Sequence, residues 1–225
     1  MKVTLKRDVL KLPLFILAFV GLTACSPEPE VTQQSAANEF KVGVDYEVIS
    51  EQASIKPKVV EHFSLYCGHC FRNEPLFASL KHQLGDSAPF ERNHVIFLPQ
   101  SRPEWGKNMT FAVAAARLLG VEDAVVEKVF SSHFVKNQFI GNIGELKQVF
   151  NEVGISEQQF IDTMNDEKAL LLVKTMAEQA KQDGVRFTPD LIVNDKYRVI
   201  LERLSGVENG DKQLANLVKY LLTNP

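Results

Sequence analysis

Short runs of apolar, β-branched and aromatic residues predict strands at 59–65, 94–98, 190–193 and 197–201. The last two flank Asn194-Asp195-Lys196, a turn signal for a hairpin. Between the second and third runs the spacing of apolar positions shifts to the helical period, predicting helices at 109–119, 122–134, 143–153, 157–165 and 167–182. Ser156 precedes Gln159 by three residues, the pattern of a capping box, and Asn142 with Glu145 is a looser version. A helix is also expected over 71–84. A last amphipathic one over 211–222 gathers Leu214, Leu217, Val218, Leu221 and Leu222 on one side. The order is strand, helix, strand, a block of helices, two strands and a helix, with no internal repeat.

The ends carry a different signal. Residues 1–11 hold four cations and one acid, and residues 12–24 are uncharged and largely apolar. That run is short for a membrane span and right for the core of a signal peptide. It closes on Leu22-Thr23-Ala24-Cys25, which resembles a lipobox, where cleavage before the cysteine is followed by acylation. On this reading residues 1–24 are a signal peptide and Cys25 is the lipidation site. Residues 25–39, polar and bearing Pro27 and Pro29, form a flexible tether, and the folded part spans 40–225. A chance cysteine after an ordinary signal and an uncleaved anchor are the alternatives; all three export the protein. Without residues 1–24 the chain keeps 21 basic and 27 acidic residues, a net of −6, which gives no reason to expect a nucleic-acid partner.

The chemistry concentrates at Cys67-Gly68-His69-Cys70, which holds two of only three cysteines. It follows the first strand directly and opens the helix over 71–84. A thiol at that junction lies at a helix N-terminus, where unpaired N–H groups and the helix dipole favour an anion. The thiolate is the nucleophile of thiol–disulfide exchange. The same spacing also serves zinc. Structural zinc takes four ligands, however, and the chain has no second cysteine pair and no H-x₃₋₅-H.

Val60-Glu61-His62-Phe63-Ser64-Leu65-Tyr66-Cys67, His94-Val95-Ile96-Phe97, Phe111-Ala112-Val113-Ala114 and Gly120-Val121-Glu122-Asp123 stand in the order of the DsbA family. So do Gly184-Val185-Arg186-Phe187-Thr188-Pro189 and Ile192-Val193-Asn194-Asp195-Lys196-Tyr197. Over roughly 40–225 the chain resembles that family of bacterial disulfide oxidoreductases. The resemblance implies an α/β thioredoxin fold with an all-helical insertion at about 105–183. It implies an exported thiol:disulfide oxidoreductase that passes a disulfide to folding proteins. No cofactor is needed beyond the Cys67–Cys70 pair, and a DsbB-type membrane quinone oxidoreductase is the implied recycling partner. It implies a periplasmic location, to which the lipobox-like stretch adds an expected lipid anchor to a membrane through Cys25.

Residue by residue, Cys67 resembles the exposed nucleophile and Cys70 the buried resolving thiol. His69 stands where an imidazole can stabilise the Cys67 thiolate. Glu61 shares its strand face with Val59, Phe63 and Leu65, and resembles the buried acid that moves a proton for the resolving cysteine. Thr188-Pro189 resembles the cis-proline element whose backbone pairs with substrate. Pro75 matches the helix-kinking proline that follows the pair. Trp105, His62, His82, His94 and His133 read as packing or surface residues.

Gly68 departs from the commonest DsbA dipeptide, which has proline there, and matches that of protein disulfide isomerase. A disulfide isomerase or reductase is therefore the competing enzymatic reading. A zinc-binding or a purely peptide-binding lipoprotein is the non-enzymatic one.

Overall fold

The structure is a computed structural model and describes residues 40–224. The signal peptide, Cys25 and all of the tether expected from the sequence lie outside the described residues. Five strands form one sheet: β1 (Tyr46–Val48), β2 (Val59–Phe63), β3 (Phe90–His94), β4 (Asp190–Val193) and β5 (Tyr197–Val199), in the order β1-β5-β4-β2-β3. β2 and β3 are parallel, with Phe63 opposite His94; every other pairing is antiparallel. Asn194 and Asp195 turn the β4–β5 hairpin with positive φ of 54° and 57°, a conformation that Asn and Asp tolerate better than other side chains.

Helix α1 (Gly68–Leu84) runs on through Pro75, and α7 (Gly210–Thr223) packs beside it. Between β3 and β4 come α2 (Pro103–Leu118), α3 (Glu122–Phe130), α4 (Ile143–Glu152), α5 (Glu157–Met164) and α6 (Glu167–Gln182). Both capping boxes form: the side chains of Asn142 and Ser156 accept from the N–H groups of Glu145 and Gln159, whose side chains reach back to the cap N–H groups. The α/β fold with a helical insertion is as expected, with the helical block at 103–182.

One strand differs from expectation. The second strand is β3 at Phe90–His94, not 94–98. Arg92, Asn93 and His94 are buried there, while Ile96 and Phe97 are each 38% exposed in the loop that follows. The apolar run at 94–98 therefore marked a loop. That loop contains a cis Leu98–Pro99 bond and lies so close to α2 that a Cβ at Gly106 would collide with the carbonyl oxygens of Ile96 and Leu98. The edge strand β1, only three residues long, had no sequence signal of its own.

Two large clusters of buried residues meet the sheet. One joins Phe63, Leu65 and Cys70 to the insertion through Met109, Val126, Phe130, Leu146, Phe150 and Phe160. The other packs α1 and α7 onto Val59, Leu191 and Val193. Burying side chains of this size contributes about 1.5–3 kcal/mol each. The Cys67-to-Cys70 turn sits where β2 delivers the chain to the edge of the first core.

Candidate active site

The strand end before the cysteines is held from both sides. Leu65 N–H donates to His94 Nε2 at 3.1 Å, and His133 Nδ1–H donates to the Leu65 carbonyl at 2.7 Å. His94 Nδ1 pairs with Thr110 Oγ1 at 2.8 Å, and the Thr110 hydroxyl donates to Gly106 O, so Nδ1 carries the proton. His133 Nε2 accepts from Ile140 N–H at 2.9 Å, which assigns the same tautomer. Both rings must be neutral to accept, and burial lowers both: His94 to about 3, helped by Arg92 and His133, and His133 in the same direction. His133 stands on an irregular wide turn, Ser131–Val135, that ends α3, and Tyr66 stacks on its ring at 5.0 Å. Neither histidine was singled out by its spacing; only partners far along the chain define their work.

From Leu65 the chain turns, with Cys67 N–H donating to Ser64 O at 3.0 Å, and α1 begins. Cys67 is the N-cap of α1, its sulfur accepting from Cys70 N–H at 3.2 Å. The half-buried Cys67 thiol is brought down from its ordinary 9.0 to about 5. The largest cause is a hydrogen bond from the Cys70 side chain. The Thr188 side chain and the backbone N–H groups of Cys70 and His69 add to it, against the opposing cost of burial. The Thr188 carbonyl, 3.3 Å from the sulfur, accepts from the thiol form and so works the other way; the donors outweigh it. The His69 imidazole is exposed, and what this residue gives the thiolate here is its backbone N–H.

Cys70, fully buried three residues on, moves in the opposite direction. Burial raises its thiol well above the usual range, and the hydrogen bond and charge of Cys67, then the charge of Glu61, push the same way. Glu61 lies wholly buried on β2. Burial lifts its carboxyl from 4.5 to about 7, Arg92 only partly offsets this, and the charges of Glu74 and Cys67 add to the rise. Arg92 Nε donates to Glu61 Oε2 at 2.8 Å, its other end binds Glu74 on α1, and its guanidinium lies 4.4 Å from the centre of the Phe63 ring. Burial disfavours the Arg92 cation, but the two carboxylates hold it charged. Glu61 Oε1 has no partner among the described residues. The arrangement is an acid that can be neutral or charged near pH 7, set beside a thiol that resists ionisation.

The Thr188–Pro189 bond is cis, and its backbone touches Cys67. A groove of about 480 Å³ starts there, lined by His69, Arg72, Thr188, Pro189, Leu201 and Glu202 among others. Across the cysteine turn stands an aromatic wall in which Phe71 and Phe134 stack at 5.3 Å and Phe139 is 49% exposed. The structure thus brings Cys67, Cys70, His69, Glu61, Thr188 and Pro189 to one place; Cys25 lies outside the described residues. Sequence reasoning missed Arg92 and Glu74, the charge partners of Glu61, as well as the two histidines on Leu65. A basic residue inside a strand was the one available signal, obscured because that strand was placed four residues too late. As for zinc, no three His, Cys, Asp or Glu side chains converge on one point among the described residues.

The DSBA-like thioredoxin domain matches residues 58–221. The thiol:disulfide interchange protein DsbA of Pectobacterium carotovorum is 32% identical over 194 residues, covering 84% of this chain and 91% of that one. DsbA of Haemophilus influenzae is 32% identical over 192 residues, covering 84% and 90%. The crystal structure of DsbA from Klebsiella pneumoniae superposes with a TM-score of 0.74 at 25% identity, covering 82% of this chain and 98% of that one. With a thioredoxin fold, a helical insertion and a C-x-x-C pair at the N-terminus of α1, the chain belongs to the DsbA family of thiol:disulfide oxidoreductases.

Proposed function

We propose that this oxidoreductase works in the oxidising direction, giving its disulfide to cysteine pairs of exported proteins as they fold. The observation that carries this is the split between the two thiols: Cys67 is brought down to about 5 and Cys70 is raised. A stable Cys67 thiolate stabilises the reduced form of the pair, and so makes the disulfide form the stronger oxidant. In the first step a substrate thiolate attacks Cys67 Sγ, forming the mixed disulfide and breaking the Cys67–Cys70 bond. Cys70 leaves with the electron pair and takes up a proton, for which Glu61, neutral below about pH 7, is the donor. The second substrate thiolate then attacks the substrate sulfur of the mixed disulfide and expels Cys67 as thiolate. Two substrate thiols lose two electrons and two protons; the enzyme pair gains both electrons, one proton stays on Cys70 and the other goes to solvent.

In this scheme the backbone before Pro189 pairs with the substrate strand, Thr188 steadies the Cys67 sulfur, and His69 supplies an N–H to the thiolate. The export-like N-terminus supports a periplasmic site of action, with Cys25 lipidated and holding the domain at a membrane. A DsbB-type quinone oxidoreductase would return the pair to the disulfide. Gly68 favours a milder oxidant than a proline at that position. Equilibration with glutathione tests the direction: thioredoxin lies at about −270 mV and protein disulfide isomerase at about −180 mV. We expect a value at or above the latter; one near thioredoxin would overturn the oxidising assignment. Labelling of the full chain with a tagged fatty acid, lost in Cys25→Ala, tests the anchor.

A further inference from the structure

The seven arginines of the described residues fall into two groups. Arg92, Arg117, Arg198 and Arg203 pair with carboxylates, and Arg102 lies over the Trp105 ring. Arg72 and Arg186 have no such partner among the described residues, and both are exposed; Arg72 lies beside the cysteine turn. Arg72 is the better placed. Helical side chains lean toward the N-terminus, so a residue on the second turn of α1 covers the first. Its Nη1 lies 3.4 Å from where a Cβ on Gly68 would stand, within the turn that begins at Cys67. Arg72 also lines the groove that runs from Thr188 and Pro189, and Glu202 lines the same groove.

We infer that this groove reads charge in the substrate: Arg72 selects cysteine segments that carry a carboxylate within two residues of the reacting cysteine. The inference rests on the proposed use of the Thr188–Pro189 backbone as the substrate-pairing edge. An extended segment on that edge sends successive side chains to opposite sides. A side chain of the segment sent toward α1 then meets Arg72, while Glu202, in the turn Leu201–Arg203, lines the same groove. A guanidinium with no internal partner binds a substrate carboxylate without first breaking an ion pair, and its planar fork suits a carboxylate bidentately. Glu202 repels a carboxylate that reaches its part of the groove. The protein carries more acids than bases, which makes an uncommitted cation at its reactive sulfur the more selective feature.

The test uses the oxidised protein and a set of synthetic cysteine peptides that differ only in having Glu, Gln or Lys at each of the two positions on either side of the cysteine. Attack on the Cys67–Cys70 disulfide is followed with wild type, Arg72→Gln, Arg72→Glu and Glu202→Gln. Comparing enzymes on the same peptide cancels the effect of a neighbouring charge on the peptide's own thiol. The Gln peptide cancels any change in the redox pair itself. Exposed ion pairs are worth up to about 1 kcal/mol, roughly a fivefold rate ratio. We expect the Glu-to-Lys preference at one or more positions to fall about three- to fivefold in Arg72→Gln and to invert in Arg72→Glu. Added salt should weaken the wild-type preference. A change of less than twofold in that preference at every position, in both Arg72 variants, would overturn the inference. Failure of wild type to react with any peptide would instead overturn the oxidoreductase reading beneath it.

Discussion

Cys67 and Cys70 are three residues apart on one turn of helix, and their surroundings drive them in opposite directions. Cys67, half-buried, sits ahead of the first free N–H groups of α1 and collects hydrogen bonds from Cys70, Thr188 and the backbone. Cys70 lies in the core behind it and meets burial together with the negative charges of Cys67 and Glu61. Residue type and helix are the same; only depth and the sense of the neighbouring dipoles differ. The lesson is that the pair is asymmetric by position. One sulfur is built to leave and the other to stay protonated until attacked or attacking.

The most severe break in this asymmetry is Cys67→Ser, which should reduce disulfide transfer to background in a peptide-oxidation assay. Cys70→Ser should keep attack by Cys67 and accumulate mixed disulfides, visible on non-reducing gels. Equal loss in both variants without trapped species would refute the division of labour. Next in size is Glu61→Gln. Loss of a positioned proton donor or acceptor costs about a hundredfold or more, so the steps in which Cys70 gains or loses its proton should slow on that order. Their pH profile should lose the inflection that wild type shows near 7.

A smaller effect is read by ultraviolet titration of the thiolate, whose midpoint should lie near 5. Because the folded value lies below the unfolded one, Cys67 should make the reduced protein gain stability relative to the oxidised one as pH rises from about 5 to about 9, and lose that gain as pH falls back to 5, while the raised Glu61 carboxyl works the other way up to about 7. The oxidised protein, with no free thiol at Cys67, should lack that slope. Smallest is Thr188→Val, which removes one side-chain donor. A net hydrogen bond of about 1 kcal/mol corresponds to roughly 0.7 pKa unit, so the Cys67 midpoint should rise by about that much.

The layout of elements and the reacting pair were legible in the sequence because they rest on local rules: period-two and helical spacing, capping boxes, and a C-x-x-C after a strand. The charge network was not. Glu61 could be assigned to a buried face by alternation, but Arg92 fell outside the predicted strand, and only the parallel β2–β3 register sets it opposite Glu61. The apolar Ile96 and Phe97 drew the predicted strand toward them, although the buried positions of β3 are the polar ones. His94 and His133 lie 29 and 68 residues from Leu65, so no local window contains the hydrogen bonds that assign them. The two capping boxes stand at the other extreme, complete within four consecutive residues each.

The grip on Leu65 has a mechanical consequence. Its N–H is held by His94, at the end of β3, and its carbonyl by His133, in the helical insertion. One peptide segment is thus strung between the sheet and the insertion, two residues upstream of the reacting sulfur. A displacement of the insertion against the sheet must stretch one of these two bonds. A load applied on the outer helices is thereby delivered, through a single residue, to the place where the disulfide is made.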